Sequence, residues 1–226
     1  MQKKKYIIGI DEAGRGPLAG PVSVGVAMVP TGFDWGQIPG VNDSKKLTEK
    51  KREEIFKIAQ RLKKEGKLTY AVKMVSAKEI DKIRIVASVT KAMNQAIKRV
   101  INDPIKAGIL GEALPRQSYQ GKALVELDYD MYDVKLDGGL SAPEEFIHQE
   151  TIIKGDSKEK VIGLASIMAK VTRDQYMVRI AKKSCFAPYT FDVHKGYGTK
   201  KHRESIAQNG LSTEHRATYC KNVVLL

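Results

Sequence analysis

Apolar positions along this chain change their period several times, and each change marks an element. Tyr6 to Ile10 ("YIIGI") and Pro21 to Val29 ("PVSVGVAMV") are apolar almost throughout and rich in β-branched residues, which predicts two buried strands. The Gly- and Pro-rich stretch between them predicts a tight connection. "TGFDWGQIPGVNDSKKLT" reads as a loop, after which helical spacing takes over in "EKKREEIFKIAQRLKKEG". Thr48 supplies its N-cap, Glu49, Glu53 and Glu54 lie in its first turns, Lys63 and Lys64 near its end, and Gly66 stops it. In "LTYAVKMVS", Tyr70, Val72 and Met74 alternate with polar or small residues and predict a third strand. "AKEIDKIRIVASVTKAMNQAIKRVI" returns to helical spacing.

Beyond Asn102 the pattern weakens. "NDPIKAGILGEALPRQSYQG" has breakers and no clear period, and "KALVELDYDMYDVKLDGG" reads as one strand, or as two in a hairpin. "SKEKVIGLASIMAKVTRDQYMVRIAKK" predicts a long helix, followed by a loop and a short basic C-terminal segment. Early strands, interleaved helices and no internal repeat give one α/β domain. Its core is expected over about 1–183 and a C-terminal segment over about 184–226, with a candidate insertion over about 102–133.

Composition narrows the class. At 226 residues and 42% hydrophobic, the chain is long enough for one well-cored domain. Its 39 Lys and Arg against 26 Asp and Glu give a net charge of +13, which favours a polyanionic partner such as nucleic acid. A basic protein without such a partner stays open, because charge speaks to association and not to fold. Two cysteines, Cys185 and Cys220, suggest no disulfide framework and no metal-ligand spacing, so a reducing, cytoplasmic setting is expected. The basic start "MQKKK" precedes an apolar run too short for a signal peptide, and no stretch approaches the roughly 20 apolar residues of a membrane span. A monomer with no membrane partner is expected.

Against that basic background, paired acid at the end of the first strand stands out. "YIIGIDEAGRGPLAGPV" runs from an apolar strand straight into Asp11 and Glu12, then into Gly14-Arg15-Gly16. Successive strand side chains point to opposite faces, so both acids can serve one site only if the strand ends near Asp11 and the backbone curls. A solvated acidic turn would use the same pair. Two further acids shift the balance: Asp137 follows the apolar "VKL" and precedes Gly138-Gly139, and Asp156 sits in "IIKGDSKEK" before the long helix. Strand ends and helix starts are where functional groups collect in open sheets. Hard divalent cations such as Mg²⁺ need several oxygen ligands, and a carboxylate cluster repels itself without them. In a basic protein the simplest use for such a cluster is to hold metal against phosphate, the two-metal clamp of phosphoryl transfer.

The motifs "IIGIDEAGRGPLAGPV", "NDSKKLTEKKRE", "LDGG", "GDSKEKVIGLASIMAKVTRD" and "HKGYGTKKH" resemble, in that order, those of bacterial ribonuclease HII, from about Tyr6 to His215. The resemblance implies an RNase H-like fold, a central mixed sheet flanked by helices with a small helical C-terminal part. It implies cleavage of the RNA strand of RNA–DNA hybrids and nicking of DNA 5′ of an embedded ribonucleotide, with two ions, Mg²⁺ or Mn²⁺. Carried over by motif, Asp11, Glu12, Asp137 and Asp156 are the catalytic, metal-binding acids. Gly14, Arg15 and Gly16 match the segment whose backbone meets the ribose 2′-hydroxyl, and Tyr197 matches the tyrosine on the next sugar. Lys45 and Lys46 correspond to a segment near the substrate backbone and are candidate phosphate contacts.

These roles also make physical sense. Backbone flanked by glycine approaches a ribose closely, and the 2′-hydroxyl separates RNA from DNA at one nucleotide. A ring packed on the next sugar is crowded by a hydroxyl there and so tests for DNA. Tyr197 would equally suit a half-buried tyrosine with a bonded hydroxyl, and Lys45-Lys46 a solvated charge run. Lys170 and Arg173 share a helix face and either meet phosphate or pair with Asp174 or Glu159. His194 and His202 read as structural hydrogen-bonders, since a hard-ion site prefers oxygen.

The stretch from Arg99 to Asp137 is longer than the family leads one to expect, and it brings competitors for the third carboxylate: Asp128, Asp130 and Asp133. Asp137 is preferred because Gly138 follows it. Glu126, Asp128 and Asp130 would line one face of a strand. "VIGLAS" replaces a more usual all-alanine run. The sister family ribonuclease HIII carries an extra N-terminal domain, for which a catalytic strand beginning at Tyr6 leaves no room. A junction resolvase of similar fold would share the acids without the ribose reader; a non-catalytic nucleic-acid binder would explain the charge but not the acids.

Overall fold

The computed structural model describes residues 5–41, 46–103 and 128–223. Five strands form one mixed sheet in the order β3-β2-β1-β4-β5: β1 (Tyr6–Ala13), β2 (Val22–Pro30), β3 (Thr69–Val75), β4 (Tyr132–Asp137) and β5 (Gln149–Ile152). β1, β4 and β5 are parallel, while β2 runs antiparallel to both β1 and β3. The run of apolar residues in β1 and β2 reflects burial on both faces, as is usual for sheets covered by helices. Tyr6, Ile8 and Ile10 join Val22, Val24, Val26, Val134 and Leu136 in a core under α2 (Ala77–Ile101). The opposite face packs Ala27 and Val29 against α1 (Glu49–Lys64) and α4 (Lys160–Ala181).

Thr48 caps α1 as expected, its hydroxyl accepting from the Lys51 amide at 3.2 Å, and Gly66 follows the helix with φ 72°. α4 is buried on nearly every side from Val161 to Ala169, which is why its sequence is apolar all round. It lies directly on the sheet because two glycines lie beneath it. A Cβ on Gly9 would overlap the Val161 carbonyl, and one on Gly25 the Ala165 carbonyl.

Several expectations need correction. β1 continues through Asp11 and Glu12 to Ala13, paired with β2 throughout, so there is no curl at Asp11. In β3 the buried positions are Thr69, Ala71 and Val75, while Met74 is 37% exposed, so Tyr70, Val72 and Met74 do not form the more buried face. The edge strand β5 was not foreseen: Gln149, Glu150 and Thr151 are exposed and carry no apolar alternation. Asp128 and Asp130 lie on a 3-10 turn at Tyr129–Met131, not on a strand, and Glu126 lies outside the described residues. So do residues 104–127 of the candidate insertion. The long C-terminal helix begins only at Lys160; before it, Gly155–Lys158 form a separate single turn, α3, with Glu159 extended between them. α2 breaks at Arg84, whose φ of 69° and ψ of 165° are not helical.

After α4 the chain forms a 3-10 segment (Ser184–Tyr189), the single turn α5 (Phe191–His194) and α6 (Lys200–Asn209). These build a third core on the end of α4, with Phe186, Phe191 and Ile206 against Met177 and, from the loop after β1, Ala19. Among the described residues no helix is long and apolar enough to cross a membrane.

Candidate active site

Parallel strands bring the acids together. β1 and β4 pair from Tyr6↔Tyr132 to Ile10↔Leu136, so one further step sets Asp11 level with Asp137. Level residues on parallel neighbours share a face, about 4.8 Å apart. β5 pairs with β4 as far as Asp137↔Ile152, and α3 follows it at once. Lys154 adopts a left-handed conformation, φ 56°, to turn the chain, and the Gly155 amide donates to Asp137 Oδ1 at 2.6 Å. Asp156, the next residue, is 4% exposed. Three adjacent parallel strands thus deliver Asp11, Asp137 and Asp156 to their carboxyl ends, the usual place for a site in an open sheet.

Glu12, the next residue of β1, also bears on this group, its charge helping to raise the pKa of the Asp11 carboxyl. Its Oε1 accepts from Arg15 Nη1 at 3.0 Å. Its amide donates to Asp11 Oδ1 at 2.7 Å.

Asp11 is the most perturbed acid. Burial is the largest cause of a pKa pushed up to about 8; the Ser166 hydroxyl opposes it, and the charges of Glu12 and Asp137 add to it. That burial is set by Gly25, the cross-strand partner of Asp11, which lets α4 settle until Ser166 meets the carboxyl. Near neutral pH Asp11 therefore holds a proton unless a cation takes its place. The donor set is all carboxylate oxygen, which suits a hard ion such as Mg²⁺ or Mn²⁺. As they stand, no three His, Cys, Asp or Glu side chains among the described residues are close enough together to hold an ion. Asp137 is turned onto the Gly155 amide, and Asp11 onto Ser166 and the Glu12 amide.

The glycine-flanked loop lies further along the same helix. Ser166, Lys170, Arg173 and Met177 form one stripe of α4, and from Ser166 to Arg173 is roughly 10 Å at 1.5 Å per residue. Arg173 is fully buried, with Nε donating to Pro21 O at 2.8 Å and Nη2 to Ala19 O at 3.1 Å. Gly14 (φ 87°) passes so close that a Cβ there would overlap the Arg173 side chain. Gly16 faces open space, where a Cβ would meet nothing within 4 Å. Tyr197 is 42% exposed, its ring centroid 5.4 Å from Lys170 Nζ and 5.7 Å from Arg173 Cζ. Its loop is joined to the first: the amides of Leu18 and Ala19 donate to Gly196 O at 2.9 and 3.3 Å.

Lys170 pairs with Asp174 at 2.9 Å, whereas Arg173 is spent on carbonyls, so the two resolve differently. Lys46 is an exposed turn residue two before Thr48, and Lys45 lies outside the described residues. The histidines are structural. His202 Nε2 lies 3.0 Å from His215 Nε2, His202 stacks on His194 at 4.2 Å, and burial pushes both His202 and His215 down to about 4. Sequence reading missed Ser166, Gly25 and Arg216. None of the three stands out in its local sequence, since each matters through a partner far along the chain.

Comparison with known proteins points one way. A family profile described as Ribonuclease HII matches residues 8–222. A curated "Ribonuclease HII" from Endomicrobium trichonymphae is 39% identical over 213 residues, covering 94% of this chain and 84% of that one. Among solved structures, the ribonuclease H2 of Pyrococcus horikoshii OT3 superposes with a TM-score of 0.62 at 23% identity, covering 96% of each chain. Bst-RNase HIII in complex with Mn²⁺ superposes with a TM-score of 0.64 at 15% identity, covering 99% of this chain and 70% of that one. At these identities the two structures establish the mixed-sheet fold.

Proposed function

This chain belongs to the ribonuclease HII family, and we propose that Asp11, Glu12, Asp137 and Asp156 are its metal-binding catalytic acids, acting on the RNA strand of RNA–DNA hybrids and 5′ of ribonucleotides embedded in DNA. The observation that carries this reading is the level placement of Asp11 and Asp137 on adjacent parallel strands, about 10 Å along α4 from a glycine-flanked loop. Mg²⁺ or Mn²⁺ is the expected ion, and two are expected. Bound there, such ions would supply a lowered pKa for the attacking water and charge stabilisation at the leaving 3′-oxygen. Asp11, Glu12, Asp137 and Asp156 would hold the ions, and Asp11 would give up its proton to do so. The Gly155 amide and Ser166 hydroxyl orient Asp137 and Asp11.

Gly14, Arg15 and Gly16 present backbone to the ribose 2′-hydroxyl, the group that distinguishes RNA from DNA. Tyr197, stiffened by the cations beneath it, lies against the following deoxyribose and excludes a second hydroxyl. Lys46, with Lys45, contributes phosphate contacts, and the +13 charge draws the duplex in. The chain acts as a cytoplasmic monomer in repair of misincorporated ribonucleotides.

The test is a nicking assay on a duplex carrying one ribonucleotide, with and without divalent metal. Cleavage needs the metal and the ribonucleotide, and an all-DNA duplex stays intact. Asp11→Asn abolishes nicking and leaves duplex binding in place. Equal loss of binding and nicking in that variant counts against the assignment.

A further inference from the structure

We propose that Arg216, backed by Arg173, is the positioning residue that aims the Gly14–Gly16 backbone at the substrate ribose; this rests on the reading of that loop as the ribose sensor. Arg216 lies some 200 residues downstream and is fully buried, its guanidinium over the Tyr219 ring, yet all three of its nitrogens donate to carbonyls of this loop. Nη2 donates to Gly14 O at 2.6 Å, Nη1 to Arg15 O at 3.0 Å, and Nε to Gly20 O at 3.0 Å.

The consequence follows from peptide geometry. In a trans peptide the carbonyl of one residue and the amide of the next point in opposite directions. Drawing the Gly14 and Arg15 carbonyls onto Arg216 therefore turns the Arg15 and Gly16 amides away from it. Neither amide has a protein acceptor among the described residues. Two donors thus face the open space beside Gly16, at a separation fixed by the rigid fork of one guanidinium.

The arrangement extends to the second sensor. Arg173 holds the far limb of the loop at Ala19 and Pro21 while its guanidinium underlies Tyr197, and the Gly196 carbonyl ties the tyrosine loop to Leu18 and Ala19. Asp81, from α2, holds the segment carrying Arg216 by accepting from the amides of Ala217 and Thr218 at 2.8 and 3.0 Å. Two buried cations facing mainly carbonyls are a poor way to stabilise a core, since apolar side chains of similar volume avoid the desolvation. They are a good way to fix carbonyl directions.

Arg216→Lys tests this, because it keeps the charge and loses the fork. Steady-state nicking of a one-ribonucleotide duplex is compared with the inhibition constant of an all-DNA duplex used as competitor. Losing the aim of two hydrogen bonds lowers kcat/KM by about 5- to 150-fold, mostly in kcat, with the all-DNA inhibition constant within about twofold of wild type. Asp81→Ala, at a part-exposed position, lowers the same ratio by a smaller factor and serves if the lysine variant fails to fold. An unchanged ratio in a folded variant, or an all-DNA constant that weakens in step with kcat/KM, overturns the inference. If the wild type itself treats the two duplexes alike, the ribose-sensor reading falls first and the inference falls with it.

Discussion

Replacing Asp11 by Asn is expected to stabilise the metal-free protein, although it removes a central acid. An unfolded Asp11 ionises near 3.8, whereas in the fold burial holds its pKa at about 8. Between those values the unfolded chain has released a proton that the folded chain still holds, so the carboxyl erodes stability as pH rises. Its contribution is fully present below the unfolded pKa and is lost as pH climbs towards 8. The slope is about 1.4 kcal/mol per pH unit, which gives a ceiling of roughly 4 kcal/mol at pH 7. Asparagine carries no such penalty and keeps nearly the same shape. For a chain of this size each kcal/mol moves the melting temperature by about 2–4 °C, so the variant should melt several degrees above wild type at pH 7.5 in EDTA. The gap should shrink towards pH 4.5. Excess Mg²⁺ should narrow or reverse it, because ligand binding stabilises the wild type by mass action. A variant that melts below wild type in EDTA at pH 7.5, or a gap independent of pH, refutes the burial argument.

Two glycines should separate packing from recognition. Gly25→Ala drives a methyl into the Ala165 carbonyl, so α4 must lift, at a cost of about 1–3 kcal/mol by thermal melting. Gly16→Ala meets nothing within 4 Å, so stability should hold within about 0.5 kcal/mol while nicking at a ribonucleotide falls sharply. Acid should act on the C-terminal part through His202 and His215. Both are held down to about 4 by burial, against 6.5 when free, so their stabilising contribution is complete above pH 6.5 and is lost as pH falls towards 4. Hydrogen exchange should then show Phe186 to Ile206 opening before the sheet, and simultaneous opening would count against it.

Features set by local chemistry were legible along the chain. Apolar runs gave β1 and β2, the Thr48 cap and helical spacing gave α1, and acids beside glycines announced Asp11, Asp137 and Asp156. Each signal lies within a few residues of what it specifies. Features that depend on distant partners were not legible, because they arise only on folding. β5 is a polar edge strand, held by its pairing with β4 and not by its own apolar pattern. The strand through Asp11 and Glu12 continues because β2 pairs with it up to Ala13, so the expected curl at Asp11 does not occur. Asp11 is perturbed because a glycine across the sheet admits a helix from 140 residues away, and the loop at Gly14 is shaped by a guanidinium from the far end of the chain. Burial and hydrogen-bond direction are properties of packed surfaces, and neither surface exists until the chain has folded.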